Sequence, residues 1–351
     1  MAQPGRSEHP GAETRAGYVA VVGRPNVGKS TLLNRLVGER LSIVTPRAQT
    51  TRERVIGILS EAGVQIVFID TPGLLEPRYL LQQSMLDAAL SAVREADAVL
   101  LLLDATRPDE RVPPGAAAEA LHRRRDALFV AINKVDAGES AAVEELAGWV
   151  VREFGVTPYR ISALEGRGTD ALLAALAAAL PPSPFLYPPD EIAVQPVRFF
   201  VAELIRETIF EEYREEVPYS TTVRVEEFRE AERPVFIRAT VFVERESQKA
   251  IIIGRKGAGI RTLGRRAREK VEAFLGTAVM LDLWVKVMPG WRKKRSALAH
   301  LGYAVATRER ARGGGRRRGR NAARSGPTSG GAERRPARGR EGGSRTERSG
   351  R

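Results

Sequence analysis

The sequence predicts an α/β chain in which a doubly wound sheet is followed by a smaller α+β unit. Three observations carry this. Between residues 18 and 180, apolar strand-like runs alternate with helix-like runs, the pattern of a sheet covered by helices on both faces. Five prolines within 181–189 then form a stiff stretch that reads as a domain boundary. Beyond it the order changes to helix, two strands, two helices and a final strand.

The first strand, 18–22, runs into Gly23-Arg24-Pro25-Asn26-Val27-Gly28-Lys29-Ser30, and a helix over 29–37 follows, with Leu32, Leu33 and Leu36 on one face. This stretch fits the phosphate-loop pattern G-x-x-x-x-G-K-[ST] at every required position. Its glycines let backbone N–H groups turn toward phosphate oxygens, and the following helix adds its positive end. In such loops the lysine, here Lys29, reaches the β- and γ-phosphates, and the hydroxyl, here Ser30, ligates Mg²⁺.

Further strands are expected at 53–59, 64–69, 97–103, 127–132 and 157–161, with helices near 79–95, 114–124, 139–153 and 168–179. Ligands of such sheets bind where strands end. After 64–69 comes Asp70-Thr71-Pro72-Gly73, where the Asp can hold Mg²⁺ through water and the glycine lets a backbone N–H approach the γ-phosphate. After 127–132 comes Asn133-Lys134-Val135-Asp136. The Asp136 carboxylate can accept from the N1–H and 2-amino group of guanine, a donor pair adenine lacks. Asn133 would brace the loop and the Lys134 stem would lie over the base. After 157–161 comes Ser162-Ala163-Leu164, whose backbone, Ala163 N–H foremost, can meet guanine O6.

Together these are the GTPase signature set. The surrounding sequence, from Gly23 to Thr31 and on to Asn34, then Ala48-Gln49-Thr50-Thr51-Arg52 and Asp70 to Leu74, resembles the Era family of bacterial GTPases over roughly residues 17–303. The resemblance implies a P-loop GTPase domain over 17–180 and GTP/GDP and Mg²⁺ as ligands. Gln49, Thr50, Thr51, Arg52 and Glu53 then form switch I. Thr51 is the preferred Mg²⁺ ligand beside Ser30 and Asp70, with Thr50 the alternative. Ras-type enzymes place a water-orienting Gln after the motif's glycine. Here Leu74 stands there, so intrinsic hydrolysis is expected to be slow. Catalysis then falls to Lys29, Gly73 and Asn26. Related GTPases use an Asn at the last of these places to support K⁺; the alternative is that Asn26 only shapes the loop.

Past the linker, 181–190, the unit over 191–303 contains Gly254-Arg255-Lys256-Gly257 after Ala250 to Ile253, and a long basic helix follows. The G-x-x-G pattern fits the loop with which KH domains clamp single-stranded nucleic acid, and the order α-β-β-α-α-β resembles the type II KH fold. Arg255 and Lys256 would meet phosphate. Ile252 is a candidate for the groove floor, with core the competing role. Trp291 and Lys293, in Trp291-Arg292-Lys293-Lys294-Arg295, are candidates for base stacking and phosphate contact, with a packed anchor the competing role for the tryptophan.

Composition narrows the rest. There is no Cys and there are three scattered His, which excludes disulfides, thiol chemistry and a Cys/His metal cluster. The segment 307–351 carries 15 Arg and 4 Glu, a net +11 of the chain's +13. It is almost devoid of apolar residues, so a disordered tail is expected over 304–351, and a disordered, polar one over 1–16. The basic tail either attracts nucleic acid or solubilises; the sequence leaves both open. No signal-peptide segment opens the chain, and the longest apolar run, 98–103, is far short of the ~20 residues of a span. A soluble, cytoplasmic protein is expected. The resemblance implies 16S rRNA near its 3′ end and the 30S subunit as partners, a monomer, and peripheral contact with the cytoplasmic membrane face. A tRNA-modifying GTPase would need a further folate-binding or Cys-bearing part, and a tandem GTPase a second motif set; a nucleotide-gated adaptor without turnover is the remaining alternative.

Overall fold

The computed structural model describes residues 14–305 except 46, 48 and 114. The expected tails, but for their innermost residues 14–16, 304 and 305, lie outside the described residues. The first sheet has six strands in the order β2-β3-β1-β4-β5-β6. These are β1 (Arg15–Gly23), β2 (Val55–Glu61), β3 (Val64–Asp70), β4 (Ala98–Asp104), β5 (Leu128–Asn133) and β6 (Tyr159–Arg160). All pair in parallel except β2, which runs antiparallel to β3. The connecting helices are α1 (Lys29–Val37), α2 (Leu80–Glu95), α3 (Ala116–Arg123), α4 (Ser140–Phe154) and α5 (Thr169–Ala179). β4 is buried at all seven positions, as expected of a central strand covered on both faces. One core lies under α1 and α5, with Leu32, Leu33, Phe68 and Leu176; the other lies under α2, α3 and α4, with Val93, Leu101, Leu121 and Leu146.

The chain enters β1 earlier than the expected 18. Arg15 pairs with Val64, and its N–H donates to the Gly63 carbonyl at 2.9 Å, so the domain begins inside the stretch expected to be tail. The proline-rich segment is pinned rather than free. Gln65, fully buried in β3, accepts from the N–H groups of Leu186 (2.7 Å) and Tyr187 (2.9 Å) and donates to the Tyr187 carbonyl. Farther on, Ile58 N–H donates to the Ile192 carbonyl and the Gln195 side chain closes on the backbone of Arg54 and Ile56. These contacts cover the outer edge of β2, which would otherwise present unpaired backbone groups.

The second unit is α6 (Val197–Glu212), α7 (Val217–Ser220), β7 (Thr222–Arg229), β8 (Val235–Val243), α8 (Glu246–Ile253), α9 (Ala258–Leu275), β9 (Val279–Val287) and α10 (Arg295–His300). Its sheet, β7-β8-β9, is antiparallel between β7 and β8 and parallel between β8 and β9, as α-β-β-α-α-β requires. Ile205, Ile237, Ala267 and Val271 form part of its core. Both sheets fall within one compact unit. Among the described residues no helix is long and apolar enough to cross a membrane.

Candidate nucleotide and nucleic-acid sites

A cavity of about 400 Å³ opens at the carboxyl ends of β1, β3 and β5, lined by the phosphate loop, Thr31, residues of 43–51, Gly73, Arg107 and Lys134. Sequence dictates the loop's closeness to its neighbours. Gly28 takes φ 98, and a Cβ there would stand 2.2 Å from Asn133 Nδ2. That approach is used: Asn133 Nδ2 donates to the Val27 carbonyl at 2.8 Å. A Cβ on Gly73 would meet Pro25 N at 2.7 Å, so only glycine lets the two loops touch. Asn26 adopts the left-handed conformation at φ 66.

Lys29 is buried, and its Nζ donates to the carbonyls of Gly23 (3.2 Å) and Arg24 (3.0 Å). Burial lowers its pKa to about 8, with the Asp70 carboxylate opposing the shift. An anionic phosphate in the cavity would restore the charge. Asp70, also buried, is pushed above the usual carboxylate range by desolvation, against the pull of Lys29. Ser30 Oγ donates to Asp70 Oδ2 at 2.8 Å, and Thr51 Oγ1 lies 3.0 Å from Ser30 Oγ and 3.4 Å from Asp70 Oδ2. Asp70 Oδ1 is buried without a hydrogen-bond partner. Three oxygen groups meeting beside an unsatisfied carboxylate oxygen fit a hard divalent cation such as Mg²⁺. Thr50 also lines the cavity, and its carbonyl accepts from Arg206. Gln49 takes φ 64 and accepts from Tyr79 Oη, Arg52 is buried, and Glu53 is exposed.

At the base end Asp136 is exposed and Val135 half-buried, with the Val135 N–H bonded to the Ile161 carbonyl at 3.2 Å. Ser162 is fully buried and its Oγ accepts from Glu165 N–H. The Ala163 N–H, expected to meet guanine O6, donates here to Asn133 Oδ1 at 2.8 Å, so a base would have to share it or displace it. Thr71 is buried, its hydroxyl on the Val21 carbonyl, and Pro72 is buried beside it.

Three supporting residues escaped sequence reasoning. Asp104, at the end of β4, is buried and ion-paired with Lys134 Nζ at 2.5 Å while accepting twice from Thr106. The signal existed, since Asp104 is a strand-end acid like Asp70. Arg35 of α1 donates to the carbonyls of Ala163 (2.8 Å) and Leu164 (2.6 Å), tying the phosphate-loop helix to the base loop. Asn34 holds the backbone of Leu41 and Ser42, where the chain leaves α1. No local pattern announces either.

In the second unit, Gly254 and Gly257 take positive φ, as does Lys256 at φ 49, and Arg255 and Lys256 are both exposed at the start of α9. Lys293 is exposed too. Two expected contacts are corrected. Ile252 is 0% exposed and packs with Ile209, Leu263 and Val285, so it is core; its neighbour Ile251 is the exposed one. Trp291 is also 0% exposed. Its Nε1 donates to the Ser220 carbonyl at 2.9 Å, and its ring stacks on Tyr303 and packs on Leu81 and Met85 of α2. It anchors the second unit on the first. The exposed tryptophan is Trp284, at 53%, because alternation along β9 turns it away from the helices.

Residues 18–134 match the family described as 50S ribosome-binding GTPase, and residues 216–292 match the KH domain family. GTPase Era of Geobacter metallireducens is 45% identical over 303 residues, spanning 82% of this chain and 98% of that one. The chain belongs to the Era GTPase family. GTPase Era of Carboxydothermus hydrogenoformans is 40% identical over 82% of this chain and 98% of its own. A solved structure of an Aquifex aeolicus Era variant bound to GDP·AlF4⁻ matches with TM-score 0.77 at 38% identity, covering 83% of this chain and all of that one. A second, of Era with MgGDPNP and nucleotides 1506–1542 of 16S ribosomal RNA, matches with TM-score 0.76 at 38% identity over the same shares. As a member of the Era family the chain hydrolyses GTP, and its two sheets are a P-loop GTPase domain and a KH domain.

Proposed function

We propose that this Era GTPase uses GTP and Mg²⁺ to control binding of single-stranded 16S rRNA near its 3′ end, and so assists maturation of the 30S subunit. One observation carries the reading: the segment 49–53 lies against the nucleotide cavity through Thr51 and against the KH domain through Arg52, in one compact unit. Lys29 and the loop N–H groups hold the phosphates, Ser30, Thr51 and Asp70 hold Mg²⁺, and Asp136 reads guanine. The metal, when bound, neutralises charge developing on the phosphates. Arg255 and Lys256 clamp the RNA backbone, and the exposed Lys293 adds a further cation for phosphate. The similarity to an Era solved with MgGDPNP and a 16S rRNA fragment supports this.

Leu74 is buried in the core and cannot orient water, which favours slow turnover approaching that of a nucleotide-gated adaptor. Asn26, which takes φ 66 in the loop, would on this reading support a K⁺ ion that supplies the missing positive charge. Resemblance alone extends the proposal to a cytoplasmic monomer with peripheral membrane contact. Crosslinking the protein to RNA in cells and sequencing the bound fragments tests the partner. Enrichment at the 3′ end of 16S rRNA is expected, and enrichment elsewhere refutes the assignment. Steady-state phosphate release with and without that RNA separates enzyme from adaptor.

A further inference from the structure

The segment 49–53 has no regular backbone structure, so something other than a ladder must hold Thr51 at the cavity. Among the described residues the GTPase side offers little: besides the Thr51 hydroxyl, Gln49 accepts one long bond from Tyr79. The KH side offers more. Arg206, on α6, is 2% exposed. Its Nε donates to Glu203 Oε1 at 2.8 Å, which fixes the plane of the guanidinium, and its Nη2 donates to the Thr50 carbonyl. That carbonyl belongs to the peptide plane that ends at Thr51 Cα. Holding a planar peptide leaves Thr51 only its own rotations to place its hydroxyl.

We infer that Arg206 is a positioning residue of the GTPase site, supplied by the KH domain, which sets Thr51 for Mg²⁺ through the Thr50 carbonyl. The inference rests on the reading of Thr51 as a metal ligand. Packing alone does not account for this arginine. Its Nη1 is buried with no hydrogen-bond partner. A desolvated charge with one unpaired nitrogen costs more than an apolar side chain of the same volume. The neighbouring Glu207 is bonded to Arg40 at 2.6 Å and to Lys270 of α9 at 2.9 Å, so Arg206 is the member of this pair that bonds switch I.

The test compares the full chain with Arg206→Met, Arg206→Lys and Thr51→Ala, titrating Mg-GDPNP and GDP and following hydrogen exchange over 49–53. Loss of the charged hydrogen bond to the Thr50 carbonyl should weaken Mg-GDPNP binding about tenfold in Arg206→Met while GDP affinity stays within about twofold. Exchange at 51–52 in the Mg-GDPNP state should rise in the same variant, and Arg206→Lys should restore part of both. Thr51→Ala should match or exceed the Mg-GDPNP loss. Equal weakening of both nucleotides in Arg206→Met would mean a merely structural role and overturns the inference. A normal Mg-GDPNP affinity in Arg206→Met with a weakened one in Thr51→Ala overturns the inference alone. A normal affinity in Thr51→Ala overturns the metal reading and the inference with it.

Discussion

The chain carries two glycine-rich loops, and they are built in opposite ways. Gly23–Ser30 is braced from outside: Asn133 bonds the Val27 carbonyl, Gly73 lies on Pro25, and Lys29 is buried beneath. Gly254–Gly257 is braced chiefly by its own helix, with Arg261 donating to the Lys256 carbonyl at 2.9 Å, and presents two exposed cations. An enclosed loop suits a small ligand whose surface it surrounds, and an exposed one suits a polymer that passes over it. The difference teaches that a shared residue type, glycine before a helix, leads to different recognition depending on what neighbouring strands bring to it.

Substitutions can break that contrast, starting with the largest effect. Asp136→Asn should exchange guanine for xanthine preference by a factor on the order of 10³ or more, because a site whose carboxylate accepts from guanine's paired donors rejects an edge that does not match it. Competition titration with GTP and XTP reads it, and unchanged GTP binding removes Asp136 from base recognition. Trp291→Ala should cost about 3–5 kcal/mol of stability, as for any large buried side chain. Thermal unfolding measures this, and a loss confined to RNA affinity would restore the tryptophan to the RNA surface. Arg255→Asp with Lys256→Asp should cut RNA affinity roughly a hundredfold and flatten its salt dependence, the slope falling by about 0.7 for each phosphate no longer neutralised. GTP affinity should not move; if it does, the loops are not separate in function.

Smaller effects sharpen the enclosed loop. Asp104→Asn leaves Lys134 without its buried partner, and both GTP and GDP should weaken by about tenfold with kcat unchanged. A change in kcat alone would place Asp104 in the chemistry instead. Replacing Na⁺ by K⁺ at equal ionic strength should raise hydrolysis a few-fold or more, since an added cation stabilises charge developing on phosphate, and Asn26→Ala should abolish the rise. Equal rates in the two salts would leave Asn26 only its backbone role.

Most of the first sheet was legible because its strands are near-continuous apolar runs with the signals at their ends, as β4 shows with Asp104 directly after an unbroken apolar run from Ala98 to Leu103. The helix α1, expected near 29–37, forms over Lys29–Val37, where Gly28 and Gly38 bracket it with positive φ. What escaped depended on partners distant in sequence. Trp291 is followed by cations, which drew it toward RNA, yet the residues that bury it include Leu81 and Met85 of α2, far earlier in the chain. Ile251, Ile252 and Ile253 are indistinguishable in composition, and only helical phase decides which faces the core. Arg35 and Asn34 act on backbone groups, which carry no sequence signature at all.

The clamp of Gln65 on the Pro-rich segment has a practical side. A fragment stopped at residue 180 would keep every strand of the first sheet but lose the chain that lies along β2. The bare edge would offer a template to other copies, and the buried Gln65 amide would lose the backbone groups of residues 186 and 187 that satisfy it. Insoluble material from such a fragment would therefore reflect where the cut was made, and would say nothing about whether the domain can bind nucleotide. Extending the fragment through Gln195 restores the cover and is the natural place to divide the two halves of this molecule.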